Sequence, residues 1–517
     1  MSKFGLVLAA GAALVTAPAG ASWHQASSKH FIIYADMPEA ELRDYAERLE
    51  KFDAAARLVR SMKDPEVGEG NRVQVFVVPS LLDVNRTLGD AGAGVGGYYM
   101  GLVNGPLIIT PKKARQVLDY RKLEPETVFF HEYTHHLMLQ NTNKPMPMWL
   151  TEGFAEFLAN PIFNEDGSVG LGTPATHRAG TLIKGRWAPL ADLLGGNMMT
   201  LGYAGFSHQN YAQGWLLNHY LSFEPSRKGQ IDAYVKRIEA GEPPLNAAKA
   251  VFGDLGQLEA QLRAYVRQKN LPYLKIESSK LTIPPVTITP LSPTAAQIMT
   301  QRIYAKTGYK ALSKKRVLDN VRPVAARATG DALVMRTLAE VEYDNRNFEE
   351  ADKAADAALK ADPKSTEAML YKGRALLGKA RKANDAALFK EARNWFVKAN
   401  KADKEDPEAL YLYYRSFHDA NQAAPASALE GLRYAAILAP RDFGLQVRLT
   451  REYLAQNKLA EAKEAIRMLA YLPHAGTGKQ NDALQILKQI EAGNAKEALR
   501  LIDKDMPDRE DDYALKF

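Results

Sequence analysis

Residues 125–161 read PETVFFHEYTHHLMLQNTNKPMPMWLTEGFAEFLANP, two helical segments separated by a proline-rich turn. His131 and His135 are four positions apart, so a helix sets both on one face, each able to aim an imidazole nitrogen at one zinc ion about 2.0–2.1 Å away. Glu132 lies about 100° further round that helix. It can reach a water on the metal without filling a coordination position, which is what a general base requires. The first helix is expected to end near Asn141-Thr142-Asn143, the chain to turn through Pro145 and Pro147, and a second helix to run from Trp149 to Phe157 before Asn160-Pro161 stops it. That return brings Glu152 to face the histidines. The set His131, His135 and Glu152 then holds Zn2+ with a fourth position open to water.

Before this stretch, short β-rich runs alternate with one helix. Phe31-Ile32-Ile33-Tyr34 and Val73 to Val78 read as strands, and Leu42, Tyr45, Leu49, Phe52 and Ala56 recur at three- and four-residue spacing as a helix face that packs on a sheet. Tyr98 to Val103 and Leu107 to Thr110 flank Asn104-Gly105, a pair suited to a two-residue hairpin turn. Pro106 lacks an N–H and places this hairpin at a sheet edge or bulge. Gly94 to Gly97 has neither a phosphate-loop lysine nor a helix start, so it reads as a flexible turn.

After it the pattern stays helical to about residue 270, and Pro284, Pro285, Pro290 and Pro293 mark a linker over 283–293. Small residues then recur at helical-hairpin spacing: Ala351 and Ala358, Ala392 and Ala399, Ala428 and Ala435, and Ala462. Pro363, Pro440 and Pro473 close three units, and Pro407 follows a lengthened one. The stretch from Gly373 to Asn384 is expected to interrupt the second unit.

The chain has 517 residues, 46% hydrophobic and 25% charged, the balance of a globular protein. With no cysteine it has no disulfide, thiol nucleophile or cysteine-based zinc ribbon, so a metal must be held by His, Asp or Glu. The 67 basic and 60 acidic residues are interleaved along the helices, with no basic stripe to suggest a nucleic-acid partner. Lys3, the apolar run from Phe4 to Ala17 and Ala19-Gly20-Ala21 read as a signal peptide over 1–21, which implies a secreted or periplasmic protein without a stable membrane span after cleavage.

The pair HEYTH and WLTEGFAEF resembles the gluzincin metallopeptidases of the peptidase MA-like group, and the repeats resemble the tetratricopeptide repeat. These resemblances imply an α+β zincin-like peptidase domain over 22–282, followed by an all-α tetratricopeptide-like solenoid over 294–517 that offers a face to a peptide or protein partner. In gluzincins the glutamate of the second motif is the third zinc ligand, here Glu152. An acid one turn on orients a zinc-bound histidine, here Glu156, for which an exposed or helix-capping role is the alternative. Asn210-Tyr211-Ala212-Gln213-Gly214 resembles the Tyr-x-Lys-Gly segment of aminopeptidase N-like members, whose tyrosine stabilises the oxyanion. Tyr211 is the match, with Gln213 in place of lysine. A core tyrosine is the competing reading, with Tyr203 and His208 in reserve. His136, displaced about 100° from His135, reads as a hydrogen-bonded core or cleft histidine.

In aminopeptidase N-like members an edge-strand acid binds the free amine of the substrate. The matching position in Gly101-Leu102-Val103-Asn104 is the apolar Val103, so cleavage of internal bonds is expected, with Glu165 or Asp166 as substitute anchors and the strand edge open to pair with an extended substrate. The function expected is therefore an exported zinc metallopeptidase acting on peptides or proteins. A scaffold that has lost turnover and works through its repeats, and hydrolysis of a non-peptide amide, are the alternatives.

Overall fold

The computed structural model describes residues 23–91, 95–112, 124–140, 146–195, 202–470 and 481–506. The expected signal segment, Gly94, the turn 141–145 and Pro473 lie outside them. The strands are β1 (Trp23–Ser27), β2 (Phe31–Asp36), β3 (Val73–Val78), β4 (Tyr98–Leu102), β5 (Gly105–Pro111), β6 (Ile162–Phe163), β7 (Val169–Leu171), β8 (Leu274–Ile276) and β9 (Thr287–Pro290). Six of them form one sheet in the order β4-β5-β3-β2-β1-β9, and β6, β7 and β8 form a small second one. In the large sheet β2, β3 and β5 are parallel, while β4, β1 and β9 each run antiparallel to their neighbour.

Helices α1 (Glu39–Val59), α2 (Leu81–Thr87), α3 (Pro125–Gln140), α4 (Met148–Leu158), α5 (Ala179–Lys184), α6 (Leu190–Gly195), α7 (Gly202–Phe223), α8 (Gln230–Glu239), α9 (Pro244–Phe252) and α10 (Leu255–Tyr265) belong to this mixed half. Successive strand residues point to opposite faces, and both faces are covered. Phe31, Ile33, Val75 and Ile108 join Leu42, Leu49 and Phe52 of α1 and Phe129 and Tyr133 of α3 in one core. Ile32, Tyr34, Phe76 and Ile109 on the other face join Ile298, Met299, Val317 and Val321 of the helical region in a second. Two-sided burial is why Phe31–Tyr34 is an unbroken apolar run and why Gln74 alone interrupts Val73–Val78. Each large side chain so buried stabilises by about 1.5–3 kcal/mol, so the helical region is a layer of the fold and not a tethered appendage.

The segment 283–293, expected to be a linker, contributes the edge strand β9. Pro284 and Pro285 precede it and Pro290 ends it, so Thr287 to Thr289 keep their N–H groups for the pairing with β1. Ser292 then caps the next helix, accepting from Ala295 N–H at 3.0 Å, and the helical region follows without a spacer. The hairpin turn also differs from its expected position. Val103-Asn104 forms it, and Gly105, at φ +109°, begins β5.

The helical region runs from α11 (Pro293–Lys306) and α12 (Lys314–Ala325) through α13 (Ala332–Asp344), α14 (Phe348–Ala361), α15 (Thr366–Ala383), α16 (Ala386–Ala402), α17 (Pro407–Asp419), α18 (Ala426–Leu438), α19 (Phe443–Ala455) and α20 (Leu459–Ala470) to α21 (Asp482–Glu491) and α22 (Ala495–Asp505). From α13 onward the helices pair as hairpins, each with a left-handed residue at its turn: Arg346, Asn384, Asn421, Asn457 and Gly493. The repeating small residues Ala351, Ala358, Ala392, Ala399, Ala428, Ala435 and Ala462 are all fully buried. The expected interruption at 373–384 is absent. Helix α15 continues to Ala383, and Gly373 and Gly378 leave room for the rings of Phe396 and Phe348. No helix among the described residues is long and apolar enough to cross a membrane.

Candidate metal centre

Helix α3 lies on the sheet beneath Phe31, and the side of it turned away from that core carries the motif. Its position is fixed by a buried charge network. Tyr133 O–H donates to Asp53 Oδ1 at 2.6 Å, and Asp53 also accepts from Arg57 Nε at 2.8 Å. His30 is held on both ring nitrogens, by Glu50 at 2.7 Å and Asp64 at 2.9 Å. His30, Glu50 and Asp53 are close enough to hold a cation, but these bonds already satisfy them, and we read the cluster as the anchor between α1 and α3.

On the other side of α3, His131 Nε2 and His135 Nε2 stand 3.2 Å apart. Glu152 Oε2, from α4, is 3.3 Å from the first and 3.4 Å from the second. Donors bound tetrahedrally to zinc at about 2.0–2.1 Å are separated by about 3.3–3.4 Å, so the triangle fits the ion without rearrangement. Glu152 Oε2 is buried and meets no well-directed hydrogen bond among the described residues. Burial works against its charge, but the two facing histidines outweigh that and hold its pKa below the usual carboxylate range. Burial likewise opposes a charge on His131, yet Glu152 and Glu156 push its pKa up to about 10. The pocket is built for positive charge.

No protein-family model matches this chain, and no curated protein matches its sequence.

Around the triangle the side chains divide by position. Glu132 leaves it, as the helical offset requires, and accepts from Tyr99 N–H on β4 at 3.1 Å. Burial raises its pKa. Glu156, one turn after Glu152, is buried and faces His131 Nδ1 at 3.1 Å. It also accepts from His177 Nε2 at 2.8 Å and from Arg178 Nη2 at 2.6 Å, so it is neither exposed nor a cap. His177 and Arg178 come from the turn before α5 and belong to no motif; nothing in one sequence marks them.

Tyr211 of α7 has its ring 5.6 Å from that of His131 and 4.8 Å below the Arg178 guanidinium. Its hydroxyl makes no hydrogen bond among the described residues, and burial, Glu152 and Glu132 raise its pKa, so it stays protonated. His208 is exposed one turn earlier on α7, and the side chain of Tyr203 lies outside the described residues. His136 is a buried histidine: its Nδ1 shares a hydrogen bond with the Tyr99 hydroxyl at 3.2 Å and its ring stacks on Tyr133. Burial lowers its pKa to about 3.

Two further expectations meet different surroundings. Asp166 closes the turn between β6 and β7 through Ser168 and pairs with Lys275 at 2.9 Å, and Glu165 beside it is exposed. The edge of β4 is not open along its length. Tyr99 N–H is held by Glu132, and Val103 N–H donates to Asp442 Oδ2 at 2.8 Å. Val103 itself is buried against Tyr411 and Tyr414 of the helical region, which folds back over the strand end.

Proposed function

We propose that this chain is an exported zinc metallopeptidase of the gluzincin type that cleaves internal peptide bonds, with tetratricopeptide-like hairpins that bind a peptide or protein partner. The observation that carries the reading is the near-equilateral triangle of His131, His135 and Glu152 donors with Glu132 just outside it. Export rests on the apolar run within residues 1–21.

His131, His135 and Glu152 would hold a zinc ion, which would supply Lewis acidity toward a carbonyl and lower the pKa of a water. Glu132, just outside the triangle, would accept a proton from the attacking water and return it to the leaving amine. Tyr211 donates its O–H to the oxygen on which charge develops, and Arg178 over its ring keeps it turned toward the site. Glu156 fixes the orientation of His131 through Nδ1.

The test is hydrolysis of a mixed peptide library, made with free and with acetylated N-termini, by wild type and Glu132→Gln. Wild type should cut both sets at internal bonds and the variant neither. Cleavage that depends on the free amine contradicts the internal-bond assignment, and equal rates for the two proteins contradict the role of Glu132.

A further inference from the structure

The helical region reaches the free side of β4, the strand whose Tyr99 N–H donates to Glu132. Residues 438–441, from the last residue of α18 into its link to α19, lie along it and, with Tyr99 and Gly101, line a small cleft. Gly101 makes the approach possible: a Cβ there would stand 2.7 Å from Arg441 Cβ. Tyr99 and Gly101 share a face of the strand by its alternation, the face on which the Tyr99 hydroxyl meets His136, while the Tyr99 N–H at the free edge of the strand donates to Glu132. Arg441 thus reaches the site face of the edge strand from an element far along the chain.

What surrounds this guanidinium is unusual. Among the described residues it has no hydrogen bond or ion pair, and its Nε is buried. The carboxylate that acts on it is Glu152, and the Tyr99 ring beside it is uncharged, since burial keeps its hydroxyl protonated. Its neighbour Asp442 is engaged elsewhere, accepting from Val103 N–H and from Leu445 N–H at 2.8 Å in the first turn of α19. Burial brings the pKa of Arg441 down to about 10, so it remains charged at neutral pH. Arg441 is only partly buried as a residue, but its buried Nε without a partner carries a desolvation cost that an apolar side chain covering the strand would not.

We propose that Arg441 is a specificity-determining residue that binds a carboxylate of the substrate, so that the cleft favours peptides with an acidic group close to the cleaved bond. A planar guanidinium takes a carboxylate through two parallel N–H···O bonds, which an amide cannot reproduce. The carboxylate is either an Asp or Glu side chain or the free chain end. The inference deepens the peptidase reading and rests on it for its catalytic consequence, so its test reads binding as well as cleavage.

Fluorescein-labelled decapeptides of alternating Ala and Ser, carrying one Glu or one Gln at a central position and ending in a free or amidated C terminus, are titrated by anisotropy. The proteins are full-length Glu132→Gln, alone and combined with Arg441→Gln or Arg441→Lys, with zinc content and melting temperature measured for each. A carboxylate peptide should bind at least about tenfold more tightly than its amide counterpart. Arg441→Gln should abolish that ratio, and Arg441→Lys should keep part of it. Preference that follows Glu assigns the side chain, and preference that follows the free C terminus assigns the chain end. Carboxylate selectivity that depends on Arg441, in a protein whose wild type cleaves nothing, supports this inference and contradicts the peptidase reading. Cleavage by wild type with no such selectivity, selectivity unchanged in folded Arg441→Gln or Arg441→Lys, or no binding of any peptide overturns the inference.

Discussion

Gly153 and Gly214 meet where α4 crosses α7. A Cβ on Gly214 would lie 2.6 Å from the Trp149 carbonyl oxygen and 3.1 Å from Gly153 Cα. This contact sets the distance between Glu152, beside the first glycine, and Tyr211, one turn before the second. Two helices that carry different parts of the site are thus fixed by the absence of a side chain between them.

Gly214→Ala is expected to destabilise the protein. Alanine in a helix gains about 1 kcal/mol over glycine, but overpacking costs about 1–3 kcal/mol, and backbone atoms cannot swing aside as a side chain would. Thermal unfolding should show a lower Tm, and an unchanged or raised Tm would mean that the crossing is looser than described.

The His30 network should give stability a pH dependence of known sign. Burial opposes the charge on His30, but the Glu50 hydrogen bond and the nearby Asp53 and Asp64 outweigh it, so its pKa in the folded protein lies above the usual 6.5. Its contribution is therefore fully present below about pH 6.5 and is lost as pH rises through the raised value. His30→Gln should cost about 3–5 kcal/mol near pH 6, and less near pH 9. Urea unfolding of both proteins at the two pH values checks this, and a cost that grows with pH would reverse the assignment.

Glu156→Gln should weaken zinc retention by about ten- to a hundredfold without abolishing it, because His131 keeps its place on α3 but loses the carboxylate on Nδ1. Competition with a chromogenic chelator measures the affinity. Wild-type affinity in the variant would leave Glu156 a purely structural partner of Arg178.

Tyr211→Phe should lower kcat by about a hundredfold or more, with little change in KM, since the hydroxyl acts on charge that develops in the transition state. Unchanged kcat with a lower Tm would make it a core tyrosine.

How much of this was legible follows from how local each feature is. His131, His135 and Glu132 sit on one helix, where spacing alone fixes direction, and Glu152 lies on the next helix in the sequence. The buried alanines of the hairpins are equally local, each repeated at the same point of its unit. Arg441 and Asp442 could not be read, because their meeting with Gly101 and Val103 joins distant segments and leaves no periodic trace. For the same reason Val103, an apolar residue in a sequence that suits a turn, gave no sign that a helical layer covers it. The β9 segment misled for another reason: its prolines fall before and at the end of the strand, where missing N–H groups do no harm.

The most direct test of the site is the zinc content of dialysed protein, measured for wild type, Glu132→Gln and Glu152→Ala. Wild type and Glu132→Gln should each carry one zinc per chain, since Glu132 stands outside the donor triangle, and Glu152→Ala should retain little. A metal-free wild type, or full occupancy in Glu152→Ala, would contradict the site described above.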